Sequence, residues 1–226
     1  MTAMTSHQSD SDAARDNMIR RQIRPWNVLE PRVLELLAEL PREGFVPERY
    51  RQIAYADLQL PLGHGEVMME PRVEARMLQE LDPQPGERAL EIGTGSGYVT
   101  ACLSRLCGQV TSVELHADLL EQARDRLRGL ETGERIQLHQ GDAAEGWGDG
   151  RAYDVIALTG SLPTLHDGFH HALAIGGRLF AIVGSGPMME ALRITRTGHD
   201  AWQTTSLFDA AIPPLRGTTS RASFKL

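Results

Sequence analysis

Three carboxylates and a run of alternating glycines are the residues of this chain whose types and spacing could do chemistry together. Residues 89–98 read Ala-Leu-Glu-Ile-Gly-Thr-Gly-Ser-Gly-Tyr, an apolar run entered from Pro85-Gly86 and left through Gly93, Gly95 and Gly97. That pattern predicts a buried strand turning sharply into a helix. Glycines without a Cβ let a ligand reach bare backbone, and the unpaired N–H groups of the helix start face it. The dinucleotide fingerprint Gly-x-Gly-x-x-Gly is not met, because its sixth position is Tyr98 and the third glycine comes one residue early at Gly97. A mononucleotide-like ligand fits better. Glu114 stands 21 residues after Gly93, at the end of the apolar run Gln109–Val113, with Leu115 beside it. A carboxylate there can accept hydrogen bonds from both hydroxyls of a ribose. A third run, Ile136–His139, leads to Gly141-Asp142-Ala143, where a carboxylate and backbone can meet an adenine edge.

The elements that must hold these residues follow from periodicity. Tyr98, Ala101, Cys102 and Leu106 share a helical face, with Gly108 placed to end the helix. Tyr153–Leu158 and Arg178–Val183 are two further runs of strand length, and the first leads into Thr159-Gly160-Ser161. Met189–Thr195 and Gln203–Phe208 predict a closing hairpin around Gly198. Strands alternating with helices, then a hairpin, predict an α/β, Rossmann-like, doubly wound and mostly parallel sheet with an antiparallel C-terminal hairpin. Loops at strand C-termini border the ligand in such a sheet, so Thr159 and Ser161 are expected on the acceptor side. Ahead of the sheet, Met18–Leu40 is helical with a break at Arg24-Pro25-Trp26, and Val73, Met77, Leu78 and Leu81 repeat at helical spacing.

A chain of 226 residues predicts one full core. The expected division is a disordered tail over 1–16 and a single domain over 17–226. Within that domain, 17–84 form an N-terminal helical part and 85–226 the ligand-binding sheet. A net charge of −7 argues against a nucleic-acid partner, and the arginines from Arg20 to Arg51 read as a solvated helix face. No run of about 18 apolar residues exists to span a membrane, and residues 1–16 lack a signal-peptide core. Cys102 and Cys107 are the only cysteines and point apart on one helix, so a reducing, cytoplasmic compartment is expected. His166, His170 and His171 have no acidic or cysteine companions at metal-site spacing, and solvated or capping roles are expected for them.

The spacing of Glu91, Gly93, Gly95, Gly97, Glu114 and Asp142 resembles that of a class I S-adenosylmethionine-dependent methyltransferase. The resemblance sharpens upstream. Val33-Leu34-Glu35, residues 41–48 (Pro-Arg-Glu-Gly-Phe-Val-Pro-Glu), Ala54-Tyr55-Ala56-Asp57, residues 60–65 (Leu-Pro-Leu-Gly-His-Gly) and residues 90–98 are similar, in order, to the protein-L-isoaspartate O-methyltransferase family. Gly176-Gly177-Arg178-Leu179 and Pro214-Leu215 extend the similarity to roughly residues 18–215. It implies that the cofactor is S-adenosyl-L-methionine. Glu91, Gly93, Thr94, Gly95, Ser96 and Gly97 are then expected beside the methionine portion, Glu114 with Leu115 beside the ribose, and Asp142 with Ala143 beside the adenine. It also implies that the acceptor is the free carboxylate of an isoaspartyl residue in damaged protein. Such an acceptor is already ionised at neutral pH and needs no general base.

The chain departs from that family in the acceptor loop. Where the family shows Gln-Thr-Ile-Ser-x-Pro, this sequence has Glu66-Val67-Met68-Met69-Glu70-Pro71, with Met69 at the serine position. A carboxylate acceptor within about 4 Å of Glu66 would meet repulsion of about 4 kcal/mol at an effective dielectric near 20. Three readings fit the altered loop. Glu66 and Glu70 point to solvent and backbone N–H groups hold the isoaspartyl carboxylate; or Met68 and Met69 floor a pocket for a different, non-acidic or small acceptor; or the protein binds the cofactor without transfer.

Overall fold

The computed structural model describes residues 2–217. Its N-terminal third holds α1 (Thr2–Met18), a π-helical turn at Ile19–Ile23, a 3-10 turn at Arg24–Trp26, and α2 (Pro31–Glu39). Short 3-10 turns at Arg42–Gly44 and Glu48–Ile53 lead to a two-stranded hairpin, β1 (Leu60–Gly63) with β2 (Glu66–Met68), and then to α3 (Pro71–Leu81). The break expected at Arg24-Pro25-Trp26 is present, because proline cannot donate to a continuing helix.

The remainder alternates as expected: β3 (Arg88–Ile92), α4 (Tyr98–Leu106), β4 (Gln109–Glu114), α5 (Ala117–Leu127), β5 (Ile136–Gln140), β6 (Tyr153–Leu162), α6 (Asp167–Ala172) and β7 (Leu173–Ser185). The hairpin β8 (Met188–Gly198) and β9 (Ala201–Asp209) closes it. One seven-stranded sheet results, in the order β5-β4-β3-β6-β7-β8-β9. The first five strands are parallel, and β8 runs against β7 and β9. The chain steps outward from β3 to β4 and β5, then crosses to β6 on the other side. This switch opens a crevice at the C-terminal ends of β3, β4 and β6, where loops diverge.

The N-terminus differs from the sequence expectation. A Ser- and Asp-rich stretch reads as solvated, yet Thr2–Met18 is helical. Its second half is docked: Ser11 Oγ donates to Glu43 Oε1 at 2.5 Å, and Arg15 donates to the Ala38 carbonyl at 2.6 Å and to the Tyr55 hydroxyl at 3.0 Å. Tertiary contacts of this kind decide helix formation where composition alone does not. His166 takes the capping role expected of it, its Nδ1 accepting from the Gly168 N–H. Cys102 and Cys107 are both buried free thiols. Among the described residues, no helix is long and apolar enough to cross a membrane.

Candidate active site

The crevice is built around Glu114. Gly93 leaves β3 with its N–H on the Val113 carbonyl (2.8 Å), so the loop starts pinned to β4. Gly93, Gly95 and Gly97 all hold positive φ, of 95°, 52° and 84°. A side chain would strain the backbone at each of these positions. The tight turn points the Gly95 N–H at Glu114 Oε2 (2.8 Å), while Oε1 accepts from His116 N–H (2.9 Å). Each carboxylate oxygen keeps lone-pair capacity for another donor. Thr94 and Ser96 are turned inward: the Thr94 hydroxyl shares a 2.6 Å hydrogen bond with that of Ser112, and Ser96 Oγ accepts from the Tyr98 N–H.

Two lobes share Leu62, Val67, Gly93, Gly95 and Thr159. The outer lobe runs past Glu114, Leu115 and His116 to Asp142, Ala143 and Ala144, and encloses about 550 Å³ counted to its open mouth. That is the size of a pocket for a nucleoside-scale ligand. Asp142 is oriented by its own loop, Oδ1 accepting from Ala144 N–H at 3.0 Å. The inner lobe is bordered by Glu91, Glu74, Val99, Met68 and Met69. Glu91 is fully buried, and its Oε2 accepts from the hydroxyls of Thr100 (2.5 Å) and Ser112 (2.6 Å). Its Oε1 has no hydrogen-bond partner among the described residues. Burial pushes this carboxyl up to about 8, against the pull of the two hydroxyls and with a further push from Glu114 and Glu74.

The acceptor loop does not point its carboxylates to solvent, which corrects one of the sequence readings. Glu66 is 23 % exposed and pairs with Arg216 Nε at 3.1 Å, with His116 Nε2 at 3.8 Å. Glu70 accepts from the Gln59 side-chain amide at 3.2 Å. Met68 and Met69 are buried and border the inner lobe. The hairpin carrying this loop is fastened to the start of α5: the His64 ring stacks on His116 with centroids 4.1 Å apart, and His64 Nε2 lies 2.9 Å from Asp118.

The sequence expects Thr159 and Ser161 beyond a strand ending at Leu158, but β6 runs on to Leu162 and includes both. Thr159 borders both lobes, its hydroxyl shared between the Gly93 (2.6 Å) and Ile92 (2.9 Å) carbonyls. Ser161 does not reach the crevice. It is fully buried and serves the C-terminal segment instead, its hydroxyl donating to Ile212 O, its N–H to Pro213 O, and its carbonyl accepting from Leu215 N–H. That segment lays Leu215 against Gly93 and Gly160 and brings Arg216 to the crevice. Neither Arg216 nor His116 was singled out by the sequence reasoning. For His116 the signal was available, two residues beyond Glu114, whereas Arg216 meets Glu66 across 150 positions.

Comparison with known proteins supplies the rest. A model of the family "Protein-L-isoaspartate(D-aspartate) O-methyltransferase" matches residues 13–217. A protein-L-isoaspartate O-methyltransferase 1 of Rhodopseudomonas palustris (strain HaA2) is 40 % identical over 212 residues, covering 93 % of this chain and 86 % of that one. A protein-L-isoaspartate O-methyltransferase of Koribacter versatilis (strain Ellin345) is 39 % identical over 203 residues, 90 % of each. Among solved structures, a provisionally assigned protein-L-isoaspartate O-methyltransferase from Plasmodium falciparum, in complex with S-adenosyl-L-homocysteine, superposes with a TM-score of 0.76 at 20 % identity over 91 % of this chain and 98 % of that one. At that identity the superposition bears on the fold.

Proposed function

The chain belongs to the protein-L-isoaspartate(D-aspartate) O-methyltransferase family, an S-adenosylmethionine-dependent O-methyltransferase family, and we propose that its acceptor is the free carboxylate of isoaspartyl residues in proteins or peptides. The observation that carries this reading over a non-acidic acceptor is the pairing of Glu66 with Arg216 and its approach to His116. A loop carboxylate that already faces a guanidinium at 3.1 Å no longer opposes an incoming anion as an unpaired charge would.

The crevice suits the cofactor chemically. S-adenosyl-L-methionine carries a sulfonium, whose methyl carbon is electrophilic and whose departing thioether is neutral. Cationic groups need acidic surroundings, and Glu114 and Asp142 supply them, while Glu91 offers a buried oxygen that has no partner among the described residues. On this reading the main chain from Gly93 to Gly97 and Glu91 border the methionine portion. Glu114, with Leu115 beside it, takes the ribose hydroxyls, and Asp142 with Ala143 meets the adenine edge. The acceptor enters past Val67, Met69 and Thr159. No residue is asked to remove a proton, because the acceptor arrives ionised. What the chain contributes is alignment, with the hairpin and the C-terminal segment shutting water from the inner lobe.

Labelled methyl transfer to a peptide containing isoaspartate, beside the same peptide with aspartate, tests the assignment. Alkali-labile label on the isoaspartyl peptide alone is expected. Label on neither, with cofactor still bound, would identify a binding module instead. Glu114→Ala should weaken cofactor binding by about 1.5–3 kcal/mol, a 10- to 150-fold rise in Kd, through lost hydrogen bonds to a charged group. Calorimetry showing an unchanged Kd would refute the ribose assignment.

A further inference from the structure

We infer that Arg216 is the specificity-determining cation of this enzyme, the group that recognises the acceptor carboxylate where the loop offers Val67 and Met69 in place of hydroxyls. The inference rests on the isoaspartyl reading above and adds to it a residue outside the loop. The charges lining the crevice are unequal. Glu66, Glu114 and Asp142 border the outer lobe, while Arg216 is the single arginine or lysine lining either lobe among the described residues. An anion that must enter such surroundings needs a fixed positive charge on its path.

Arg216 is held as such a charge would have to be. Its Nε donates to Glu66 Oε1 at 3.1 Å and its Nη2 to the His64 carbonyl at 2.6 Å, so two contacts fix the plane of the guanidinium on the hairpin. Nη1 makes no hydrogen bond among the described residues, and the side chain is 55 % exposed, within reach of a group carried on a peptide. The backbone beneath it is anchored by the Leu215 N–H on Ser161 O at 2.9 Å. A guanidinium whose fork is already oriented loses little freedom when it takes a carboxylate. Gly65 completes the seat: a Cβ there would come within 2.8 Å of Nη2.

The alternative is that Arg216 only neutralises Glu66, and a double substitution separates the two. With isoaspartyl peptide as acceptor, Arg216→Gln should raise KM at least tenfold with kcat changed less than threefold and cofactor Kd within twofold. Arg216→Lys should fall between. Glu66→Gln should lower KM, having removed a competing anion. In the double variant Glu66→Gln with Arg216→Gln, KM should stay at least fivefold above that of the unmutated enzyme. A double variant with unmutated KM, an Arg216→Gln KM within twofold, or a matching loss of cofactor affinity overturns the inference while the isoaspartyl reading stands. No labelling of the isoaspartyl peptide by the unmutated enzyme overturns both.

Discussion

Glu91→Gln is expected to leave stability almost unchanged at pH 4 and to raise it above that of the unmutated protein by roughly 3–6 kcal/mol at pH 8.5, at about 1.4 kcal/mol per unit of displaced pKa. Glu91 is fully buried in the middle of the sheet, and desolvation pushes its carboxyl from 4.5 up to about 8. The folded chain therefore keeps a proton that the unfolded chain gives up between those values. Because the folded state then binds more protons than the unfolded one, stability falls as pH rises through this window and levels off above it. Glutamine has the same shape and does not titrate, so the difference between the two proteins reports this group together with its coupling to Glu114 and Glu74. The hydroxyls of Thr100 and Ser112 moderate the cost, since they donate to Oε2, but none of the described residues serves Oε1. Urea unfolding of ligand-free protein at half-unit steps of pH gives the measurement. Parallel curves for the two proteins would mean that Glu91 titrates as an ordinary carboxyl.

That cost near the end of β3 shows which parts of the site were legible along the chain. Glu91, Glu114 and Asp142 each stand at or near the end of an apolar run, and a parallel sheet brings such ends together whatever lies between them. The reading of Glu114 from its distance to Gly93 is matched by a 2.8 Å bond from Gly95 N–H. The altered loop was equally legible as a departure, because Glu66 and Met69 are visible against the family's pattern. What neutralises Glu66 was not, since the pairing with Arg216 is made by a segment that has already left the sheet and has no periodic pattern of its own. Ser161 belongs to β6 itself rather than to a loop beyond Leu158, and its hydroxyl is used away from the acceptor. A hydroxyl close to the crevice can serve the backbone of the segment crossing it, as this one does with Ile212. The N-terminal helix failed for the opposite reason: its composition is that of a solvated stretch, and the contacts of Ser11 and Arg15 lie more than twenty residues away.

Arg42→Ala should destabilise the protein by about 3–5 kcal/mol, the cost of leaving a buried charge without its partner. For a chain of this size that lowers Tm by roughly 6–20 °C. Arg42 is buried beside Glu74, to which Nη1 is bonded, and its guanidinium lies over the Tyr98 ring with 5.0 Å to the centroid. It also ties the acceptor loop to the body of the protein, Nη2 donating to Met69 O at 2.6 Å and Nε to Ala54 O at 2.9 Å. Burial holds the Glu74 carboxyl above its ordinary range even with Arg42 alongside. Without Arg42 it must take up a proton to stay inside, so the deficit should shrink toward pH 5 and widen toward pH 8. An apolar pair, Arg42→Met with Glu74→Leu, separates the two duties. Stability should return to near that of the unmutated chain, since well-packed hydrophobic side chains often replace a buried ion pair without loss. The Met69 carbonyl would still lack its donor, and a loop displaced by an ångström can cost about a hundredfold in rate. A stable double variant with kcat/KM reduced at least tenfold on isoaspartyl peptide is the expected result. Full activity in that variant would show that Arg42 contributes to the fold alone and that the loop holds its own position at Met69.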